Sequence, residues 1–134
     1  MPIDADALRA IPLFAAFSGE DLAKLAPRFS ELSFPPGHSI AKEGNPGFGF
    51  FVIESGSAKV TVRGEERRTL GPGSYFGEIA MLDYGPRAAT VTAETSMTAH
   101  MLSRLEFRSL VAENPDFALA LIKGLWPLLE LDDY

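Results

Sequence analysis

The sequence of 134 residues contains no cysteine and only two histidines, His38 and His100. The absence of cysteine excludes disulfide bonds and thiolate metal sites, and it fits a reducing compartment. Two histidines cannot supply the cluster of ligands that a metal centre on facing strands requires, and we expect His100 to be structural. No stretch is long and apolar enough to cross a membrane, and no basic-then-apolar leader opens the sequence. We therefore predict a cytoplasmic protein without a metal or other cofactor.

Basic residues are also in deficit, with 12 Lys and Arg against 18 Asp and Glu, a formal net charge of −6 and a pI near 4.8. This balance disfavours direct binding to nucleic acid. It also repels a phosphate-bearing ligand at long range, so any anion site has to be built by a local group of residues. The hydrophobic content of 46% is typical of a globular protein, and the length predicts a single domain over residues 1–134. Whether this domain is one module of a longer protein is left open.

The N-terminal third has helical patterns. A short helix is predicted over residues 4–10. Ser18 followed by Asp21 is typical of a capping box, and the next helix should end near Ala26 because Pro27 cannot donate a helical hydrogen bond.

The middle of the sequence predicts strands, because clusters of Gly and Pro separate short runs rich in apolar and β-branched residues. The predicted strands cover residues 50–53, 58–62, 67–70, 89–93 and 97–102, of which the second and third are expected to alternate between buried and exposed side chains. Phe48, Phe50 and Phe51 are expected in the core. Many short strands at regular spacing favour a jelly roll or a similar closed sandwich.

Helices return at the C-terminus. Ser103 and Glu106 form a second capping-box pattern, which predicts a helix to about Glu113. Asn114 and Pro115 then predict an N-cap followed by proline at the first helical position. We expect Pro127 to kink or stop this last helix.

The most informative stretch is the 76–91 segment, Phe-Gly-Glu-Ile-Ala-Met-Leu-Asp-Tyr-Gly-Pro-Arg-Ala-Ala-Thr-Val. Arg87 can make a two-pronged contact with a phosphate, and Glu78 can accept a hydrogen bond from a sugar hydroxyl. Gly77 allows the backbone to approach a ligand closely, and a short helix opening at Glu78 would direct free N–H groups at an anion. Taken by themselves, a glutamate and an arginine can equally form a solvated surface pair.

The 76–91 segment closely resembles the phosphate-binding cassette of cyclic-nucleotide-binding domains, and the order of helices and strands resembles that family over nearly the whole chain. The resemblance implies an eight-stranded jelly-roll β-roll, with short N-terminal helices, a cassette helix over residues 78–82 and C-terminal hinge and lid helices. It also implies that Glu78 binds the ribose 2′-hydroxyl and that Arg87 binds the cyclic phosphate. The remaining ligand-binding positions implied are Gly77, Ile79, Ala80, Ala88 and Ala89, with backbone N–H groups of the three alanines in the anion cradle.

The residue after the arginine bears on the choice of base. In members that prefer cGMP this residue is often a threonine, whereas here it is Ala88, which has no hydroxyl. The resemblance thus favours cAMP and leaves cGMP open. Trp126 and Tyr134 are candidates for a lid over the base. The alternatives are that Trp126 is a core or partner residue and that Tyr134 is exposed or disordered.

The resulting prediction is a non-enzymatic cAMP sensor whose C-terminal helices repack on ligand binding, since no nucleophile–base pair or paired-carboxylate site stands out. Its expected partners are the nucleotide and, through the C-terminal helices, a second copy or an effector, without nucleic acid or membrane. One alternative is a ligand-free interaction or dimerisation module on the same fold. Its surface would consist of Leu121, Leu125, Trp126 and Leu129. A cupin-type enzyme is a further alternative.

Overall fold

The computed structural model describes residue 3 and residues 5–15, 17–44, 49–77 and 89–130, with the side chains of 123–130 excepted. Short helices open the chain: α1 (Ala5–Arg9), a 3-10 turn (Pro12–Phe14), α2 (Gly19–Leu25) and a second 3-10 turn (Ala26–Arg28). Ser18 caps α2, since its Oγ accepts a hydrogen bond of 3.1 Å from the backbone N–H of Asp21. The predicted N-cap at Ser18 and the end of α2 before Pro27 are both confirmed.

The described residues then form eight strands in two antiparallel four-stranded sheets. The first sheet has the order β1-β8-β3-β6 and the second the order β2-β7-β4-β5. The strands are β1 (Ser30–Phe34), β2 (Ser39–Ala41), β3 (Gly49–Ser55), β4 (Ala58–Val62), β5 (Glu65–Leu70), β6 (Tyr75–Phe76), β7 (Thr90–Ala93) and β8 (Met97–Ser103). The predicted jelly-roll architecture is confirmed, and the sequence reading had not delimited strands β1, β2 and β6.

Two apolar cores lie on opposite faces of the first sheet. Because successive side chains of a strand point to opposite faces, the neighbours Phe50 and Phe51 on β3 enter different cores. Phe51 lies inside the roll with Val60, Phe76 and Val91. Phe50 instead packs against the helices, in the cluster that holds Leu8, Phe14, Phe107 and Phe117. Both phenylalanines are fully buried, as predicted, while Phe48 lies outside the described residues.

The prediction of an alternating pattern is confirmed for β4 but is wrong for the strand at 67–70. On β4 the buried Ala58 and Val60 alternate with partly exposed neighbours. On β5 every residue before Leu70 is exposed. The reason is that β5 is the edge strand of its sheet, where charged side chains remain in solvent and discourage pairing with another chain.

The C-terminal helices are α3 (Arg104–Glu113) and α4 (Pro115–Glu130). Ser103 Oγ accepts a 3.2 Å hydrogen bond from the Glu106 N–H, which confirms the helix start predicted at Ser103. Asn114 lies just before α4, as predicted, and its side-chain Nδ2 donates to the Leu110 carbonyl at 2.9 Å. Helix α4 does not stop at Pro127. A proline removes one hydrogen bond from the helix, and the packing of Phe117 and Leu121 holds the preceding turns in place.

His100 is fully buried on β8, with its Nε2 3.1 Å from Glu54 Oε1 on the neighbouring strand β3. This placement supports the structural role predicted for it. Within the described part of the chain, no group of three His, Asp or Glu residues is arranged to hold a metal ion. None of the helices in that part is both long and apolar enough to cross a membrane.

Candidate functional site

The chain enters the 76–91 segment from a tight turn over residues 71–74. Gly73 has a φ of 87°, in the left-handed region that favours glycine. Its N–H donates to the Ile53 carbonyl at 2.8 Å, and the Ile53 N–H donates to the Ser74 carbonyl at 2.9 Å. The turn is therefore fixed to β3, and the short strand β6 that follows starts from a defined position.

Phe76 and Gly77 form the fixed entry of the segment. The Phe76 ring is stacked on Phe51 inside the roll, with centroids 4.8 Å apart. Gly77 has a φ of 96°, which a side chain with a Cβ adopts only with strain. Glycine is therefore favoured here because the backbone turns immediately after a buried anchor, while the close approach to a ligand stays a prediction.

Ala89 and Thr90 form the exit of the segment. Ala89 is half-buried and packs against the same core cluster that contains Phe76. Thr90 begins β7, and its Oγ1 accepts a 3.0 Å hydrogen bond from the N–H of Glu43. Both ends of the segment are therefore attached to one core, although they belong to different sheets: β6 is an edge strand of the first sheet and β7 an inner strand of the second.

Glu43 is a structural residue of this exit whose role the sequence did not reveal. Its Oε1 accepts a 2.9 Å hydrogen bond from the N–H of Arg63, which has a φ of 54° at the β4–β5 hairpin. Glu43 thereby connects that hairpin with Thr90. Its hairpin partner Arg63 lies twenty positions away, and a single sequence carries no signal for such a contact.

The predicted site residues divide between described and undescribed parts of the chain. Gly77 and Ala89 are described, and they lie directly before and after residues 78–88. Glu78, Ile79, Ala80, Arg87, Ala88 and Tyr134, as well as the predicted cassette helix, lie outside the described residues. Trp126 is within α4, and its side chain is among those not described.

The described roll interior has no cation of its own. Its buried cluster is entirely apolar, and the only buried polar or charged residue described, His100, lies on β8. The nearby ion pairs, Lys59–Glu66 at 3.9 Å and Arg67–Glu65 at 3.6 Å, involve side chains that are more than a third exposed. An anionic group bound between Gly77 and Ala89 must therefore obtain its counter-charge from residues outside this buried interior.

The model of the cyclic nucleotide-binding domain family matches residues 31–114, which include both anchored ends of the 76–91 segment. The chain therefore belongs to the cyclic nucleotide-binding domain family, and the resemblance stated from the sequence is confirmed.

Relatives and solved structures agree with this assignment. A cAMP-dependent protein kinase regulatory subunit from Emericella nidulans is 39% identical over 106 residues, which cover 78% of this chain and 26% of that protein. The regulatory domain of Toxoplasma gondii PKA, solved with cAMP, has a TM-score of 0.81 at 26% identity, covering 90% of this chain and 48% of that one. The catabolite activator protein of Thermus thermophilus has a TM-score of 0.80 at 29% identity, covering 91% and 60%. The chain thus spans about a quarter of the length of the curated kinase subunits that it matches.

Proposed function

We propose that this chain is a cAMP-binding regulatory domain without enzymatic activity. The observation that carries the proposal is that Phe76, directly before Gly77, and Ala89 belong to one core cluster inside the roll, so both ends of the 76–91 segment are anchored there. Between them lie the acid and the arginine of the family's cassette. Family membership and the cAMP named in the relatives' descriptions support the choice of ligand.

Each residue of the segment has a proposed role. Arg87 pairs with the cyclic phosphate, and Glu78 accepts a hydrogen bond from the ribose 2′-hydroxyl. The backbone N–H groups of Ala80, Ala88 and Ala89 complete the anion site, next to Gly77 and Ile79. Because the described interior contains no buried cation, Arg87 carries most of the attraction for the phosphate in a chain of net charge −6.

Binding is proposed to bias the C-terminal helices, with residues 1–134 acting as one domain. The ring of Phe107 on α3 lies 4.8 Å from that of Phe50 on β3, and Phe107 also contacts Phe117 on α4 at 5.9 Å. These contacts connect the sheet that carries β6 with both helices. A ligand that binds one arrangement more tightly shifts the population by that difference in affinity alone.

An interaction module is the second candidate, because α4 exposes two large apolar residues. Leu119 is 55% exposed and Ile122 is 53% exposed. The surface first predicted for a partner is wrong at Leu121, which is buried at 2% exposure because it packs into the core between the helices and the sheet. A partner would therefore contact the face with Leu119 and Ile122.

The proposal is tested by calorimetric titration of the protein with cAMP and, separately, with cGMP. Saturable binding of one molecule of cAMP per chain is the expected result. A folded protein that binds neither nucleotide would favour the interaction module instead.

A further inference from the structure

The strand β1 is an edge of the first sheet that little protects from pairing with another chain. The edge strands are β1 and β6 in the first sheet and β2 and β5 in the second. Strands β2 and β6 have only three and two residues, and β5 carries four charged residues at 65–68 together with a bulge, which discourage pairing. Strand β1 has five residues, of which only Glu31 is charged, and among the described residues no strand pairs with its outer edge.

The two faces of β1 carry different kinds of side chain. Leu32 and Phe34 are half-buried and pack against the core inside the roll. Because successive side chains of a strand point to opposite faces, the exposed Glu31 and Ser33 lie on the outer face of the sheet. A strand that pairs with β1 must therefore present apolar side chains to the inner face and polar side chains to the outer one. The sequence of β1 itself meets this requirement.

A second copy of β1 fits beside the first in an antiparallel register centred on Leu32. In that register Leu32 is opposite Leu32, and Glu31 is opposite Ser33 of the other copy. Inner residues stay opposite inner residues, and backbone groups that point outward from one edge meet those of the other. The neighbouring registers are worse. A register centred on Glu31 places two carboxylates opposite each other, and one centred on Ser33 places Glu31 opposite Pro35, which has no N–H to donate.

In the favoured register Glu31 meets hydroxyl groups and no other charge. Ser33 is opposite Thr98 on β8, and Thr98 is opposite Ser55 on β3. These three residues also line one cavity of about 370 Å³, which shows that their side chains share a face. Glu31 of a second copy would join this row beside Ser33, where hydroxyl groups can donate hydrogen bonds to its carboxylate. The outer faces of two β1 strands are thus complementary to each other.

We propose that two copies of this chain associate by antiparallel pairing of their β1 strands, which joins two four-stranded sheets into one continuous sheet. The proposal does not depend on nucleotide binding, and it uses a surface other than helix α4. A single pair of five-residue strands is a small interface compared with the roughly 1,200 Å² that a stable complex buries. The dimer should therefore be weak, and its population should depend strongly on protein concentration.

The first test measures the mass of the protein by sedimentation equilibrium from about 10 μM to about 1 mM. We expect the mass of the parent to rise from monomer towards dimer over this range. Ser33→Glu places a carboxylate opposite Glu31 twice in each dimer, so the dissociation constant should rise about tenfold, and Ser33→Lys should lower it about threefold. Thr69→Glu and Thr69→Lys change the net charge equally at an exposed position of β5 and should alter it by less than about twofold.

A second test checks the register, and the absence of cysteine from the chain makes it clean. With Leu32 opposite Leu32, the two Cα atoms lie about 5 Å apart, within the range of a disulfide. The Leu32→Cys protein should therefore form a reducible covalent dimer when oxidised with copper–phenanthroline. Ser33→Cys is the control, because its two Cα atoms are offset by two residues and lie about 8 Å apart, too far for a disulfide.

The outcomes are decisive for the β1 dimer and separate from those for the nucleotide. A parent that stays monomeric at about 1 mM overturns the proposal, whether or not the chain binds cAMP. A dimer that responds equally to charge at Ser33 and at Thr69 uses another surface, such as the α4 face with Leu119 and Ile122, and also overturns it. Thermal unfolding checks that each variant is folded. If Leu32→Cys is not, the charge variants at the exposed Ser33 still decide the question.

Discussion

The rings of Phe51 and Phe76 are stacked inside the roll, with centroids 4.8 Å apart and planes inclined by only 10°. This contact fixes the last residue of β6 immediately before the chain turns at Gly77. Mobility required for ligand binding must therefore begin after Phe76, because moving this ring would open a cavity in a closely packed core. The entry and the exit of the 76–91 segment are both anchored, and we propose that the residues between them bind the ligand.

Gly77→Ala should destabilise the domain, because φ at this position is 96°. A Cβ in the left-handed region costs about 1–2 kcal/mol, which should appear as a lower free energy of unfolding in urea. Gly71→Ala is the matched control. Gly71 has no positive φ, and a Cβ added there would meet nothing within 4 Å, so its replacement should be close to neutral. Equal stabilities of the two variants would contradict the strain assigned to Gly77.

Arg87→Ala should weaken cAMP binding by about 30-fold to several thousand-fold. Removing one member of a desolvated charge pair costs about 2–5 kcal/mol, since the remaining charge is left without a partner. Calorimetric titration measures this change. Lys24→Ala is a suitable control, because Lys24 lies on α2 and forms only an exposed pair with Glu20 at 3.8 Å. If the Arg87→Ala protein bound cAMP as tightly as the parent, Arg87 would not be the residue that binds the phosphate.

Glu78→Ala should weaken the binding of a ribose nucleotide much more than the binding of its 2′-deoxy analogue. We expect the affinity for cAMP to fall and the affinity for 2′-deoxy-cAMP to stay nearly the same, because a lost hydrogen bond affects only a ligand that can form it. The loss for cAMP should be about 1.5–3 kcal/mol, typical of a hydrogen bond to a charged group. Equal losses for both ligands would show that Glu78 supports the loop and does not bind the ribose.

Local signals in the sequence predicted local structure well. The caps at Ser18 and Ser103 were correct because each depends on a hydrogen bond to a residue three positions later. Of the two effects expected of Pro127, a stop is contradicted, since whether a helix ends depends also on how its other turns are packed, and a kink stays a prediction. Glu43 was missed for a related reason, because its partner Arg63 is brought close only by the folded sheets. A contact between residues far apart in the sequence cannot be predicted from either short segment alone.

The same distinction applies to the candidate site. The residue types that can bind a phosphate and a ribose lie within one short stretch of the sequence, so the 76–91 segment could be recognised from the sequence alone. The attachment of both ends of that segment to one core could not, because Phe76 and Ala89 come together only when the two sheets pack around the interior of the roll.

The last prediction concerns Trp126, the only tryptophan in the chain, which lies on α4. It follows Pro115 by eleven positions, about 16 Å along a helix. Because α4 continues through Pro127, the turns around Trp126 should move with the rest of the helix when α3 and α4 repack. We therefore expect a saturable change in tryptophan emission on addition of cAMP, and the Arg87→Ala protein should need far more ligand to show it.

If the ring stacks on the base, Trp126→Ala should also lose about 1 kcal/mol or more of binding free energy. A spectral change without that loss would mean that the helix moves while Trp126 does not cover the base. Tight binding of cAMP with an unchanged spectrum would contradict movement of this helix at Trp126.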